Sequence, residues 1–195
     1  MMVKSTIADV FRPNEKTLSV LYDTIVIICG SLLVGLSAQV RFYLPFSPVP
    51  VTAQTFAVLV LGALLGSRRG GLTMLAYLAE GVLGLPVFAA GIGLPALIGP
   101  TGGFLVGFIA AAYLVGKLAE MGWDRRVSTT IAAMALGDAV LLSSGFIWLA
   151  ILTNIRTAFL AGVYPFIIGD ILKVALAAVT LPMGWKLLKL VNIKT

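Results

Sequence analysis

The chain has 195 residues, 59% of them hydrophobic and 11% charged, with a mean hydropathy of +1.05. Soluble domains carry roughly 25% charged residues, so this composition excludes an ordinary water-soluble globule and points to an integral membrane protein. The net charge of +6 is spread over segments between apolar runs, with no basic groove interleaved with aromatics; it suits loops facing anionic lipid and sets nucleic acid aside as a partner.

A spanning helix needs about 20 apolar residues to cross roughly 30 Å of hydrocarbon, so about six crossings fit in one membrane-embedded domain over residues 1–195. Apolar runs between charges and Gly/Pro breaks predict an all-α bundle of six transmembrane helices. After a short N-terminal segment (about 1–20), the helices are expected near Asp23–Leu44, Thr52–Gly66, Gly70–Leu83, Gly102–Glu120, Ser128–Leu152 and Phe166–Leu190. The second and third are short for full crossings, and a re-entrant hairpin is the competing reading. It would bury Arg68 and Arg69 at its tip, which favours two tilted spans.

The first helix follows a basic start, and Ser37-Ala38 after Ile25–Leu36 has the look of a cleavage site; five further spans favour an uncleaved helix. It also carries Cys29, read as a small packed residue, and the pair Ser31 and Gly35, for which internal packing and a partner-protein surface stay open. Gly62 with Gly66, and Gly103 with Gly107 and Ala111, read as close helix packing. Lys4, Arg12, Lys16, Arg68, Arg69, Lys117, Arg125, Arg126, Lys186, Lys189 and Lys194 fall on one side of the six spans, Arg41 and Arg156 on the other. The positive-inside rule then places both termini in the cytoplasm of a multi-pass plasma-membrane protein.

The three outer loops are unusually apolar: Pro45-Phe-Ser-Pro-Val-Pro-Val51 with Thr52 and Gln54 behind it, Leu85 to Thr101, and Thr153 to Pro165. Pro sets φ and Gly permits close backbone approach, so such loops suit a lid over a buried ligand. Gly91-Ile-Gly93-Leu-Pro95-Ala96 matches a dinucleotide fingerprint, but Pro95 and the missing βαβ context set it aside; no cofactor is expected. The chain has no histidine and no GxxxxGK[ST] motif, so it is read as neither a His-dependent enzyme nor an ATPase, with no metal site.

The last helix carries Asp170 and Lys173, three positions and about 60° of rotation apart, hence on one face. Opposite charges inside an apolar helix need a partner or a purpose, and a polar solute or a structural ion pair would each meet that need. Asp170 stands in the first turn or so, where the helix dipole favours an anion. Asp138 and Glu80 are two further acids within spans, open between local pairing and a role in transport.

Pro48-Val-Pro50 with Thr52-Ala-Gln54-Thr, Gly62-Ala-Leu-Leu-Gly66-Ser-Arg68-Arg-Gly70, Gly84-Leu-Pro86-Val-Phe88, Gly99-Pro-Thr-Gly-Gly103 and Pro165-Phe-Ile-Ile-Gly-Asp170-Ile-Leu-Lys173 together resemble the BioY proteins, the biotin-binding S components of energy-coupling-factor (ECF) transporters. The resemblance implies a six-helix subunit that captures biotin from outside and works with a transmembrane coupling subunit and two cytoplasmic ATPases. A stand-alone biotin carrier is the alternative. It implies Asp170 and Lys173 as the polar anchor, Gln54 with Thr52 behind the Pro-x-Pro turn, and Gly91 and Gly93 in the loop over the ligand. Leu105 stands where one branch carries a base, and Ser31-x-x-x-Gly35 replaces the Ala-x-x-x-Ala coupling motif.

Biotin's ureido ring offers two N–H donors and one carbonyl, its thioether ring and chain are apolar, and its tail is a carboxylate. Asp170 would accept from the ureido N–H groups while Lys173 donates to the carbonyl or balances Asp170. Phe88, Phe104, Trp148 and Tyr164 are candidates to wall the apolar rings. Arg41 and Arg156 are the outer-side bases left for the carboxylate.

Overall fold

The computed structural model describes residues 5–190; Lys4 and Lys194, two of the bases counted above, lie outside them. The described residues run as α1 (Ile7–Val10), α2 (Lys16–Gln39), β1 (Arg41–Phe42), β2 (Val51–Thr52), α3 (Gln54–Leu65), α4 (Ser67–Val82), α5 (Leu94–Ile98), α6 (Gly102–Glu120), a 3-10 turn (Trp123–Arg125), α7 (Val127–Leu152), α8 (Ile155–Gly162) and α9 (Phe166–Leu190).

The predicted bounds of α6 and α9 match the structure, and those of α3 and α7 differ by a residue or two. The first long helix is displaced toward the N-terminus. Its polar first turns are held because Arg12 pairs with Asp23 at 2.7 Å and the Tyr22 hydroxyl donates to the Ala8 carbonyl at 2.9 Å. It stops at Gln39, short of Leu44, because Arg41 and Phe42 turn to pair antiparallel with Thr52 and Val51. The fold is therefore helical with one two-stranded ladder, and the outer loops contain α5 and α8.

Chain direction follows from contacts at the helix ends. Ala53 N–H donates to Val40 O, so α3 begins beside the end of α2. At its other end Gly66, with φ of +86°, makes the turn, and Ser67 donates through N–H and hydroxyl to Glu120 Oε1 at 2.8 and 2.6 Å. The α3–α4 turn thus lies beside the last residue of α6. Near that end Trp185 of α9 donates to Asp124 Oδ2 at 2.6 Å. The α2 start, the α3–α4 turn, the α6 end and the α9 end share one end of the bundle, called the Arg68 end. The ladder, the segment from Leu83 to Thr101, and α8 occupy the opposite, ladder end.

Helix α6 packs against α3, α4 and α7 and forms the centre. Close approach needs glycine there: a Cβ on Gly62 would lie 2.7 Å from Ala112 O, and one on Gly103 would lie 2.2 Å from Trp148 Cβ. Both glycine sets expected to pack do so. Helices α2, α6, α7 and α9 are long and apolar enough to cross a membrane. At 1.5 Å per residue α3 spans about 18 Å and α4 about 24 Å, less than the roughly 30 Å of hydrocarbon. Large apolar side chains cover the outside, among them Leu36, Ile151, Ile168 and Leu172, as a lipid-facing surface requires. Cys29 is exposed on that outer surface of α2, contrary to the packed position expected.

Candidate binding site

Under the ladder lies a cavity of about 30 Å³, walled by Val49 and Pro50 just before β2, Thr52, Gln54 and Thr55 from β2 and α3, Phe88, Ala89 and Ala90 from the loop after α4, Thr101, Phe104, Leu105 and Phe108 around α6, and Phe166. That volume holds about one or two waters. Its apolar wall is tightly packed: Phe104 stacks on Phe166 at 5.8 Å, and Phe88 meets Tyr77 edge-on at 5.4 Å. The Phe88 ring fits because Gly81 lacks a side chain, since a Cβ there would lie 2.0 Å from the ring.

Behind the cavity wall stands a polar cluster. Lys173 Nζ donates to Asp170 Oδ1 at 2.8 Å and to Thr55 Oγ1 at 2.5 Å. Asp170 is 3% exposed, and its Oδ2 is buried with no hydrogen-bond partner among the described residues. The ion pair satisfies one carboxylate oxygen and leaves the second available, in surroundings where an unmet acceptor costs about 1–3 kcal/mol. Asp170 lies in the second turn of α9, past the reach of the helix end, so the anion is held by Lys173 rather than by the dipole.

A second polar line runs along the wall. Gln54 Nε2 donates to the Tyr77 hydroxyl at 2.6 Å, and that hydroxyl donates to Val87 O at 3.2 Å. The Gln54 backbone N–H donates to Thr52 Oγ1 at 3.2 Å. Thr55 and Tyr77 were not among the expected site residues. Thr55 adjoins Gln54 in a motif already quoted, whereas Tyr77 lies mid-helix among apolar residues and reads as core.

Residues 11–190 match the BioY family. The chain belongs to the BioY family. Among its curated relatives, "Biotin transporter BioY" of Rhizobium etli is 37% identical over 158 residues, covering 76% of this chain and 84% of the relative. "Probable biotin transporter BioY" of Pyrococcus horikoshii is 36% identical over 148 residues, covering 75% of this chain and 86% of the relative. The crystal structure at 2.1 Å of the S-component for biotin from an ECF-type ABC transporter superposes with a TM-score of 0.74 at 23% identity, covering 89% of this chain and 95% of that one. That likeness establishes the shared fold.

Within this BioY-family chain the expected residues divide. Thr52, Gln54, Phe88 and Phe104 line the cavity, and Asp170 and Lys173 reach it through Thr55. Trp148 does not line it: its Nε1 donates to Gly99 O at 2.9 Å, tying the loop to α7. Tyr164 is 62% exposed in the turn before α9 and faces outward. Gly91 and Gly93, with φ of +96° and +70°, shape the loop without entering the wall, which their neighbours Ala89 and Ala90 supply.

The helix pair at Ser31 and Gly35 also needs correction as a partner surface. Ser31 is fully buried and donates to Glu80 Oε1 at 2.5 Å, and a Cβ on Gly35 would lie 3.0 Å from Val87. Both face inward, Ser31 onto α4 and Gly35 onto Val87 in the segment that follows it. Asp138, on α7, lines a groove of about 530 Å³ with Asp170. Among the described residues Asp138 Oδ1 is buried without a hydrogen-bond partner, so two acids border the same groove.

Proposed function

We propose that this chain is the membrane-embedded, high-affinity biotin-binding subunit of an ECF-type transporter, without catalysis of its own. The observation that carries the reading is the buried Asp170 oxygen left free beside Lys173 and Thr55, behind a cavity walled by aromatic rings. The names of the curated relatives and of the fold neighbour support the same ligand. Biotin's ureido N–H groups supply the donors that Asp170 lacks, Lys173 balances the charge or donates to the ureido carbonyl, and the rings accept the thioether and chain. The cavity holds about one or two waters, so in this reading the Leu83–Thr101 segment moves away from the ladder as the ligand enters.

In this reading the ladder end faces the extracellular side and both termini are cytoplasmic in the plasma membrane. Six helices cross, the short α3 and α4 included, because each runs from one end of the bundle to the other and the lysines and arginines concentrate at the Arg68 end. A transmembrane coupling subunit and two ATPase subunits would drive reorientation and release inside. One observation favours stand-alone carriage instead: Ser31 and Gly35, the positions expected to meet a coupling subunit, are turned onto α4 and Val87.

Calorimetry on detergent-purified protein tests the ligand and its anchor together. Biotin is expected to bind, and Asp170→Asn to weaken it at least tenfold, the loss of one charge-assisted hydrogen bond. Unchanged affinity in that variant removes Asp170 from the site. Uptake of labelled biotin by cells with and without the ATPase partners separates the two transport readings. For the topology, cysteines at Arg68 and Leu85 in a Cys29→Ala background should react with an impermeant reagent from opposite faces of sealed vesicles; same-face labelling breaks the six-crossing arrangement.

A further inference from the structure

We infer that Arg41 supplies the cation that receives the ligand's tail carboxylate, and that in the closed state the same side chain latches the loop over the cavity. This rests on the biotin reading. A carboxylate leaving water needs a paired cation or several donors, and the cavity wall itself provides no cation. Lys173 is occupied by Asp170 and Thr55 behind the wall, and Leu105 is an apolar wall residue. Arg41 and Arg156 are the bases at the ladder end, and among the described residues neither is within salt-bridge distance of an acid.

The structure separates those two. Arg41 pairs across the ladder with Thr52, a wall residue, and its Nη1 donates to the carbonyl of Ala89, another wall residue. The Tyr43 hydroxyl donates to the same carbonyl at 2.9 Å, and the Arg41 guanidinium lies 5.8 Å from the centre of the Tyr43 ring, which helps to hold its orientation. Two side chains from one edge of the cavity therefore hold the loop on the other edge. Arg156 makes no such contact to the wall among the described residues.

A guanidinium carries five N–H donors in a planar fork, so the contact to Ala89 leaves donors for a carboxylate. A carboxylate adds the attraction of opposite charges and can take two parallel N–H bonds from the fork, which a neutral carbonyl cannot. An arriving carboxylate thus competes with Ala89 for Arg41, and losing that contact loosens the loop that supplies Ala89 and Ala90 to the wall. With no acid beside it, Arg41 also attracts anions to the mouth before contact.

The test compares biotin with biotinamide, whose tail is neutral, by calorimetry on the purified full chain. The wild-type protein is expected to bind biotin at least tenfold more tightly than biotinamide. Arg41→Gln should weaken biotin at least tenfold and biotinamide less than threefold, Arg41→Lys should keep part of the preference, and Arg156→Gln should leave both affinities unchanged. If Arg41→Gln weakens both ligands equally, Arg41 is a latch alone and the inference falls; if it changes neither, or the preference moves with Arg156→Gln, it falls as well. If Arg41→Gln does not fold, the wild-type preference and the Arg41→Lys variant decide, and equal binding of the two ligands by the wild type overturns the inference. A wild-type protein that binds neither ligand overturns the biotin reading itself, an outcome distinct from the others.

Discussion

At the Arg68 end of the bundle a set of paired charges ties neighbouring elements together. Arg12 and Arg69 share Asp23, Arg69 also holds Asp9, and Glu120 caps the start of α4 with Lys117 3.9 Å from its second oxygen. At the ladder end neither Arg41 nor Arg156 pairs with an acid among the described residues, and the nearby polar groups are instead bonded to backbone carbonyls, as Gln39 is to Pro86 and Ser47 to Ala161. The comparison teaches that one end is built to hold three helices and the N-terminal segment together, while the other keeps cations and loops free to exchange partners. Stability should therefore reside at the first end and ligand response at the second.

The largest expected break in that division comes from Arg69→Gln. It leaves Asp9 and Asp23 without their shared, largely buried base and should cost about 2 kcal/mol of stability, with lower thermal unfolding in detergent; the partial exposure of the acids keeps the cost below that of a fully buried pair. Arg41→Gln in the same assay should cost less, about 1 kcal/mol or below, because the carbonyl it releases is also held by Tyr43. Equal losses from the two variants would erase the contrast between the ends.

Next in size is Tyr77→Phe at the ladder end. It removes the acceptor for Gln54 and the donor to Val87 while keeping the ring against Phe88, and should cost about 1 kcal/mol. Biotin binding by calorimetry should weaken alongside, because Gln54 then loses its fixed orientation; an unchanged affinity would separate Gln54 from the ligand.

The smallest effect is a pH dependence at the Arg68 end. Burial raises the Asp124 carboxyl from an ordinary 3.8 to about 6, with the Trp185 hydrogen bond opposing the rise. Between those values the folded chain holds a proton that the unfolded chain has released, so this group makes stability fall as pH rises from about 4 to about 6. Thermal unfolding should move up by a few degrees from pH 7 to pH 5, and Asp124→Asn should flatten that change. A variant with the same slope as the wild type would assign the dependence elsewhere.

Much of the helical frame was legible because helix limits in this chain coincide with local breaks. Gly99-Pro-Thr opens α6, and Pro165 precedes α9. The start of α2 was missed because Lys16 and Asp23 look like loop charges until Arg12 is seen to fold back onto Asp23. In the site, the shared face of Asp170 and Lys173 follows from helical spacing alone, and Gln54 and Thr52 came with the family motif. Trp148 and Tyr164 lie outside the cavity lining, and nothing in the sequence marks that, since an aromatic residue in an apolar chain carries no sign of whether it faces cavity, neighbour or lipid. Ser31 looked equally suited to a partner until its hydroxyl was found against Glu80.

The amino-acid order by itself determined that this is a lipid-embedded helical protein of the BioY pattern with an acid and a base on one face of its last helix. Those properties arise from composition and spacing along a single helix. Tertiary structure alone decided that Thr55 joins that pair to the cavity, that Tyr77 holds Gln54, and that Arg41 rather than Arg156 reaches the wall. In lipid the outward face of a helix is as apolar as its inward face, so periodicity cannot tell which side is buried, and only the packed rotation of each helix against its neighbours does.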